Sequence, residues 1–495
     1  MPYSNLQLLA PELWLCGLGL LVLVADMFRS RRLAWIAAVL ALAGLALILA
    51  PTLRTWGDPP AADFMNSFVV DGFAVFMKVL FIVSAGLIVL LSRACFGEDE
   101  SCGEFYSLLI FLTLGLFLLA SANDLVLIYL AFELVSLTSY LFAAWRKRDR
   151  KSNEAGVKYF VYGAAASGVM VYGLSLIYGA GGTTNLSVIA AHLMEPTAGG
   201  GLALVAVLGV LLMTVGLGYK ISMVPFHAWA PDVYEGAPTP VTALLSVGPK
   251  AAGFAVLLRV FFTLAPRLEV PWQVVFAVLA TLTMFGGNLL ALRQTNIKRL
   301  LAYSSIAHAG YLLIGLVVGP YEPWGISGVL VYLAAYLLMN LGLFAVAILI
   351  EREHGDSELS RFSGLAATAP GLAMVTVLLL LSLTGIPPTA GFVGKLYIFG
   401  AAIQSRQWAW LAVVGIINSV ISLYYYMNIA RTMYFGGKLL AEKDLDGEQE
   451  YRRKHDRLGH VAVMAVIGVT TFGTLALCVV PGWLIEAARL ATMMR

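Results

Sequence analysis

The chain has 495 residues, 60% of them hydrophobic and only 12% charged, with a formal net charge of +3. Soluble domains carry about 25% charged residues, so a water-soluble globule is excluded. A charge this small, spread over the whole chain, also argues against nucleic acid as a partner.

Apolar runs of about 20 residues, enough to cross a bilayer, recur from end to end. The composition therefore predicts an all-α polytopic membrane protein. Breakers divide the runs into about fourteen spans, at 8–28, 33–53, 67–91, 105–121, 123–145, 155–179, 201–224, 240–264, 272–291, 297–318, 326–350, 370–404, 407–431 and 459–489. The first run, Leu13 to Phe28, lacks a basic leader and a small-residue cleavage site, so it reads as a span. Four scattered cysteines (Cys16, Cys95, Cys102 and Cys478) offer no metal-type pair and read as inert.

Positive charge tests the map. The odd-numbered loops hold 21 of the lysines and arginines, including Arg29, Arg31 and Arg32, and the even loops and both termini hold 5. The positive-inside rule then places odd loops in the cytoplasm and both termini outside. The polar stretch Gly436 to His460 reads as a solvated cytoplasmic loop.

Two spans are broken, the seventh at Met223-Val-Pro225 and the twelfth at Gly385-Ile-Pro-Pro388. They stand five spans apart, which predicts two five-helix units, the second inverted because five is odd. The chain then divides into 1–104 with three N-terminal helices, 105–265 with helices 4 to 8, 266–435 with the inverted helices 9 to 13, and 436–495 with the cytoplasmic loop and helix 14. Inverted repeats with broken helices near the midplane are a transporter signature.

An ionisable side chain at the centre of a span costs about 2.5–3.5 kcal/mol, so each needs a reason. Glu133 lies mid-span in the fifth helix, Lys220 at the break of the seventh, Lys250 midway along the eighth and Lys395 in the second half of the twelfth. Ion pairs that lock helices together are one reading. Four such groups at comparable depth, two of them on broken helices, favour proton transfer. Burial disfavours the charged form of a lysine or carboxylate, and an opposite charge nearby favours it. A buried lysine beside a movable carboxylate therefore has two protonation states of similar energy.

Accessory candidates follow. His227, just past the seventh-span break, titrates near neutrality and reads equally as a relay or as an interfacial histidine bonded to a carbonyl. His308 in the tenth span reads as the repeat counterpart facing Glu133. Lys158, one turn past Glu154, reads as a relay lysine near Glu133, with snorkelling the alternative. Asp71 and Lys78 read as a structural pair on one face of the third span. Asp232 and Glu235 read as loop-pinning acids, and Tyr424-Tyr-Tyr426 as interfacial belt and packing. No Gly-rich phosphate loop or cysteine cluster points to a nucleotide, flavin or iron–sulfur site.

The run Lys220-x4-Pro225-Phe-His-x-Trp-x-Pro-Asp-x-Tyr-Glu-Gly-Ala-Pro-x-Pro resembles the signature of the antiporter-like proton-translocating subunits of respiratory complex I, the NADH:quinone oxidoreductase. The resemblance extends over essentially the whole chain. Three features single out one branch of that family. The N-terminal LLAPELWL and the later Phe68-Val-Val-Asp-Gly-Phe segment resemble it, no long lateral helix follows the last span, and Lys395 stands where a sister subunit has a glutamate.

The resemblance implies roles. Glu133 is the mobile carboxylate, Lys220 the gated carrier, Lys250 the connecting lysine and Lys395 the exit-side lysine, with Lys158 and His308 accessory. It implies no cofactor in this chain, with FMN, iron–sulfur clusters and quinone elsewhere in the complex. It implies M-type and K-type membrane subunits as neighbours, lipids around them, protons as substrate and a bacterial inner membrane as location. A subunit of an Mrp-type cation/proton antiporter is the alternative with the same helices, and a scaffold of buried ion pairs is a third reading.

Overall fold

The computed structural model describes residues 5–27, 35–96, 102–193, 200–264, 266, 268, 270–436 and 457–493. Arg29 to Arg32 and most of the charged stretch read as a cytoplasmic loop lie outside the described residues, as does the side chain of Cys102. Cys16, Cys95 and Cys478 are free thiols.

The described chain is a bundle of long apolar helices. They are α1 (Ala10–Met27), α2 (Trp35–Leu53), α3 (Gly72–Phe96), α4 (Cys102–Ser121), α5 (Leu125–Ala143), α6 (Arg150–Gly181), α7 (Gly200–Ile221) and α8 (Thr239–Thr263). Then come α9 (Trp272–Ala291), α10 (Ile297–Val318), α11 (Pro323–His354), α12 (Pro370–Thr384), α13 (Ala390–Gln404), α14 (Ala409–Phe435), α15 (Arg457–Val479) and α16 (Gly482–Met493). Thirteen of the helices are long and apolar enough to cross a bilayer, and α12 and α13 are two shorter apolar halves of one further crossing. The predicted spans therefore hold, with two revisions.

The last span, read as one run over 459–489, is two helices, because Pro481 ends α15 and has no N–H with which to continue it. The PDVYEG segment, read as a loop, is a short helix, Trp229–Gly236. A two-stranded hairpin, β1 (Ala61–Asp63) with β2 (Phe68–Val70), precedes α3 and was not legible in so short a run.

Burial separates inner from outer helices. The apolar window of α8 is wholly buried and that of α10 nearly so, with α11 and α3 close behind, whereas those of α1, α2, α6, α14 and α15 are buried over little more than a third or less. Exposed apolar faces on a membrane chain meet lipid or neighbouring subunits. The two helices at the centre, α8 and α10, are the ones that carry Lys250 and His308.

Both breaks are built from local chemistry. α7 stops where Ser222 takes a positive φ of 60°, ahead of Pro225. α12 ends at Gly385, whose φ of 87° suits a residue without a Cβ. The Gly385 and Ile386 amides both donate to the Leu381 carbonyl, at 2.9 and 3.0 Å, which closes the helix end. Pro387 and Pro388 then prevent continuation.

Asp71 and Lys78 do not pair with each other. Asp71 binds Arg259 of α8 through both oxygens, at 3.1 and 3.2 Å, and Lys78 binds Glu12 of α1 at 2.6 Å. Both pairs join helices far apart in sequence, a choice that spacing along one helix could not reveal.

Candidate functional site

The first half of the site lies between α5, α6 and α7. Helical spacing puts Phe132, Glu133, Ser136 and Tyr140 along one side of α5. The Ser167 hydroxyl of α6 donates to Glu133, which is half-buried. Lys220, only 1% exposed, donates to the Ser136 hydroxyl at 2.8 Å and sits 4.6 Å over the Phe132 ring. Glu133 is the charge that acts on Lys220. The Lys220 stem runs along Gly253 of α8, where a Cβ would meet it at 3.5 Å. That contact brings Lys220 beside the helix of Lys250.

Lys250 follows Pro249 inside α8 and donates to the Ser305 hydroxyl of α10. One turn on, His308 Nδ1 meets the Tyr332 hydroxyl at 2.5 Å and Nε2 meets the Tyr426 hydroxyl at 3.3 Å. The His308 ring lies among four tyrosines, with Tyr311, Tyr332 and Tyr336 at 5.5, 5.8 and 5.1 Å between ring centres besides Tyr426, and the charges that reach it are Lys395 and Lys250 rather than Glu133. Lys395 donates to the Leu383 and Thr384 carbonyls at 3.2 and 2.8 Å and to Ser419 at 2.9 Å, and lies 4.3 Å over the Tyr311 ring. Those carbonyls end the half-helix α12, where partial negative charge favours a cation.

Glu133, Lys220, Lys250, His308 and Lys395 thus fall on α5, α7, α8, α10 and α13. Among the described residues no carboxylate lies within ion-pair distance of the three lysines. Each rests on a serine hydroxyl and the face of an aromatic ring. The tyrosine triplet, read as belt and packing, divides between the two: Tyr424 is 69% exposed, and Tyr425 and Tyr426 are 2% and 0% exposed beside this row.

Lys158 stands apart, partly exposed, bound to Asp232 at 2.7 Å and Glu154 at 2.8 Å. Asp232 also takes Arg299 at 2.7 Å, and Arg299 reaches Glu235 at 3.1 Å. The two acids of the short helix therefore tie it to α6 and α10. His227 is half-buried just past the break, and burial pushes its imidazole below the ordinary 6.5. The reading of this rim missed Lys298 and Glu351. Neither was singled out, yet Lys298 is buried and donates to the Ala237 carbonyl at 3.0 Å. Asn296, a helix cap ahead of an apolar run, was the available signal that Lys298 lies inside a helix.

The rim gives a pH prediction. Burial opposes ionisation of Asp232, but hydrogen bonds from Lys158 and Arg299 win and hold it below the ordinary 3.8. A depressed carboxylate stabilises above its unfolded pKa and loses that contribution as pH falls through the folded value. The melting temperatures of wild type and Asp232→Asn are expected to differ at neutral pH and converge below pH 3.8. A gap that persists unchanged in strong acid would refute this role.

A family profile described as NADH:quinone oxidoreductase/Mrp antiporter, TM, matches residues 122–422. The chain is 40% identical over 490 residues to NADH-quinone oxidoreductase subunit N of Trichlorobacter lovleyi, covering 98% of this chain and 97% of that one. It is 41% identical over 475 residues to NAD(P)H-quinone oxidoreductase subunit 2 of Gloeobacter violaceus, covering 96% and 90%. Among solved structures it is similar to a chain of respiratory complex I from Thermus thermophilus with bound aureothin, with a TM-score of 0.75, 32% identity and coverage of 96% and 98%. A chain of an Mrp complex from a Dietzia species overlays with a TM-score of 0.83 at 23% identity, covering 99% and 97%, and shows the shared fold. With a broken-helix bundle, three buried lysines on its helices and near-full-length relatives of one name, the chain belongs to the subunit N family of NADH:quinone oxidoreductase.

Proposed function

We propose that this chain is the part of complex I that carries protons along Glu133, Lys220, Lys250, His308 and Lys395. The observation that carries the reading is the pairing of three buried ammonium groups with hydroxyls rather than carboxylates. A buried charge with no counter-ion has little to hold it, so its charged and neutral forms come close in free energy. A structural lysine would have been given a carboxylate, as Lys78 was. Lys158 and His227 serve as accessory groups at the mouth of the first half. The driving change comes from quinone reduction in other subunits, where FMN and the iron–sulfur clusters also reside.

The two five-helix units, 105–265 and 266–435, act as inverted half-channels, each with its lysine at a helix break. M-type and K-type membrane subunits flank the chain among lipids. The membrane is the bacterial inner membrane, with odd loops in the cytoplasm and both termini outside, as the charge asymmetry supports.

The test is proton translocation by the whole complex in proteoliposomes. Glu133→Gln and Lys250→Met are expected to assemble but to lower translocation by about a hundredfold, the scale of a lost proton-transfer group. Normal pumping in both variants overturns the reading and leaves these groups as helix locks.

A further inference from the structure

Helix α14 has an exposed outer face, with Ile416, Ile417, Val420 and Tyr424 on it. Its inner face nonetheless carries Asn418, Ser419, Ser422, Tyr425 and Tyr426, a polar stripe at helical spacing. Polar groups on a membrane helix are costly and need partners. The sequence reading assigned no role to Asn418 or to Asn288 of α9, and both are fully buried.

Asn288 is the hub of a buried network. Its Nδ2 has three acceptors for two hydrogens, the Asn418 Oδ1 and the Met284 carbonyl at 3.0 Å each and the Tyr311 hydroxyl at 3.2 Å, and its Oδ1 accepts from the Tyr425 hydroxyl at 2.9 Å. Asn418 Nδ2 donates in turn to the Val414 carbonyl at 3.0 Å.

The network touches the proton row at two points. Tyr311 lies under the Lys395 ammonium at 4.3 Å, and Ser419, next to Asn418, accepts from the same ammonium at 2.9 Å. At the other end the Tyr425 ring is 4.4 Å from that of Tyr426. The Tyr426 hydroxyl meets Ser304 at 2.5 Å and His308 Nε2 at 3.3 Å. One buried amide pair thus bridges the surroundings of His308 and of Lys395.

We propose that Asn288 and Asn418 are positioning residues for proton transfer between His308 and Lys395. An amide neither gains nor loses a proton near neutral pH, so the pair carries none itself. It fixes the phenols of Tyr311 and Tyr425, each of which can accept one hydrogen bond while donating another. This inference rests on the proton-translocation reading.

The test is translocation by the assembled complex in H2O and in D2O. Asn418→Leu is expected to slow translocation about fivefold, the weight of one buried hydrogen bond, and to raise the H2O/D2O rate ratio because proton transfer becomes limiting. Tyr425→Phe removes a single hydroxyl and is expected to act in the same direction, so it decides the matter if Asn418→Leu fails to assemble. A fall in rate with an unchanged isotope ratio, or no fall at all, overturns the inference. If Glu133→Gln and Lys250→Met also pump normally, the wider reading fails. If those two are impaired while Asn418→Leu and Tyr425→Phe match wild type, only the positioning role falls.

Discussion

Alanine at Gly391 is expected to cut the yield of folded complex severely, whereas alanine at Gly400, further along the same helix, leaves it unchanged. A Cβ at Gly391 would lie 1.8 Å from the Ser382 carbonyl oxygen, and at Gly400 it would meet nothing within 4 Å. The Ser382 carbonyl belongs to the last turn of α12, so no flexible side chain can yield. Two half-helices pack there backbone to backbone, and the Gly391 amide also donates to the Ser382 hydroxyl at 3.1 Å. Overpacking typically costs about 1–3 kcal/mol, and a clash with backbone falls at the top of that range or above it. Gly385→Ala is intermediate: it forces a side chain into a positive φ of 87° and places a Cβ 2.7 Å from the Lys395 stem. Its stability loss is smaller than that of Gly391→Ala, but it disturbs the ammonium directly. Melting temperature and yield of the assembled complex rank the three variants. A Gly391→Ala complex as stable as Gly400→Ala would refute the tight junction.

The helix ends that create this junction were legible because their causes are local. Glycine and proline announce the breaks at Gly385–Pro388 and Pro225, and an apolar run announces its own span. Glu133, Lys220, Lys250 and Lys395 stood out for a related reason: a charge inside an apolar run is costly, whether it locks helices or carries a proton. What stayed hidden depends on partners or on weak signals. Asn288 and Asn418 are uncharged, so hydropathy passes over them, and their meaning appears only when α9 meets α14. Lys298 and Glu351 lie near helix ends, where a cation or acid looks solvated until the fold covers it. The short helix Trp229–Gly236 was masked by its flanking prolines. Pro231, however, lies in its first turn, where a missing N–H costs nothing. The triplet Tyr424 to Tyr426 was read as belt and packing together, and only the fold decides that Tyr424 faces out while Tyr425 and Tyr426 turn inward.

The pairing of Asp71 with Arg259 shows what a locking charge looks like in this bundle, and its removal is expected to be costly. Arg259 is 8% exposed and Asp71 4%. The guanidinium donates to both carboxylate oxygens, at 3.1 and 3.2 Å, and to the Ala120 carbonyl at 2.8 Å. Asp71 also accepts from the Ala74 amide at 2.8 Å, capping α3. Asp71→Ala leaves a guanidinium buried that cannot shed its proton, and breaking such a pair costs about 3–5 kcal/mol. Replacing both partners, Asp71→Leu with Arg259→Met, removes the stranded charge and is expected to recover most of that loss, less the roughly 1 kcal/mol of the lost cap. Thermal unfolding of the assembled complex separates these outcomes. Equal damage in the single and double variants would show that the pair is not what holds α3 to α8. Lys250 and Arg259 lie on the same buried helix, one against a hydroxyl and the other clamped by a carboxylate. The double variant should therefore pump with unchanged stoichiometry, while Lys250→Met in the same complex should not. A locking charge can be traded for apolar packing, and a proton carrier cannot.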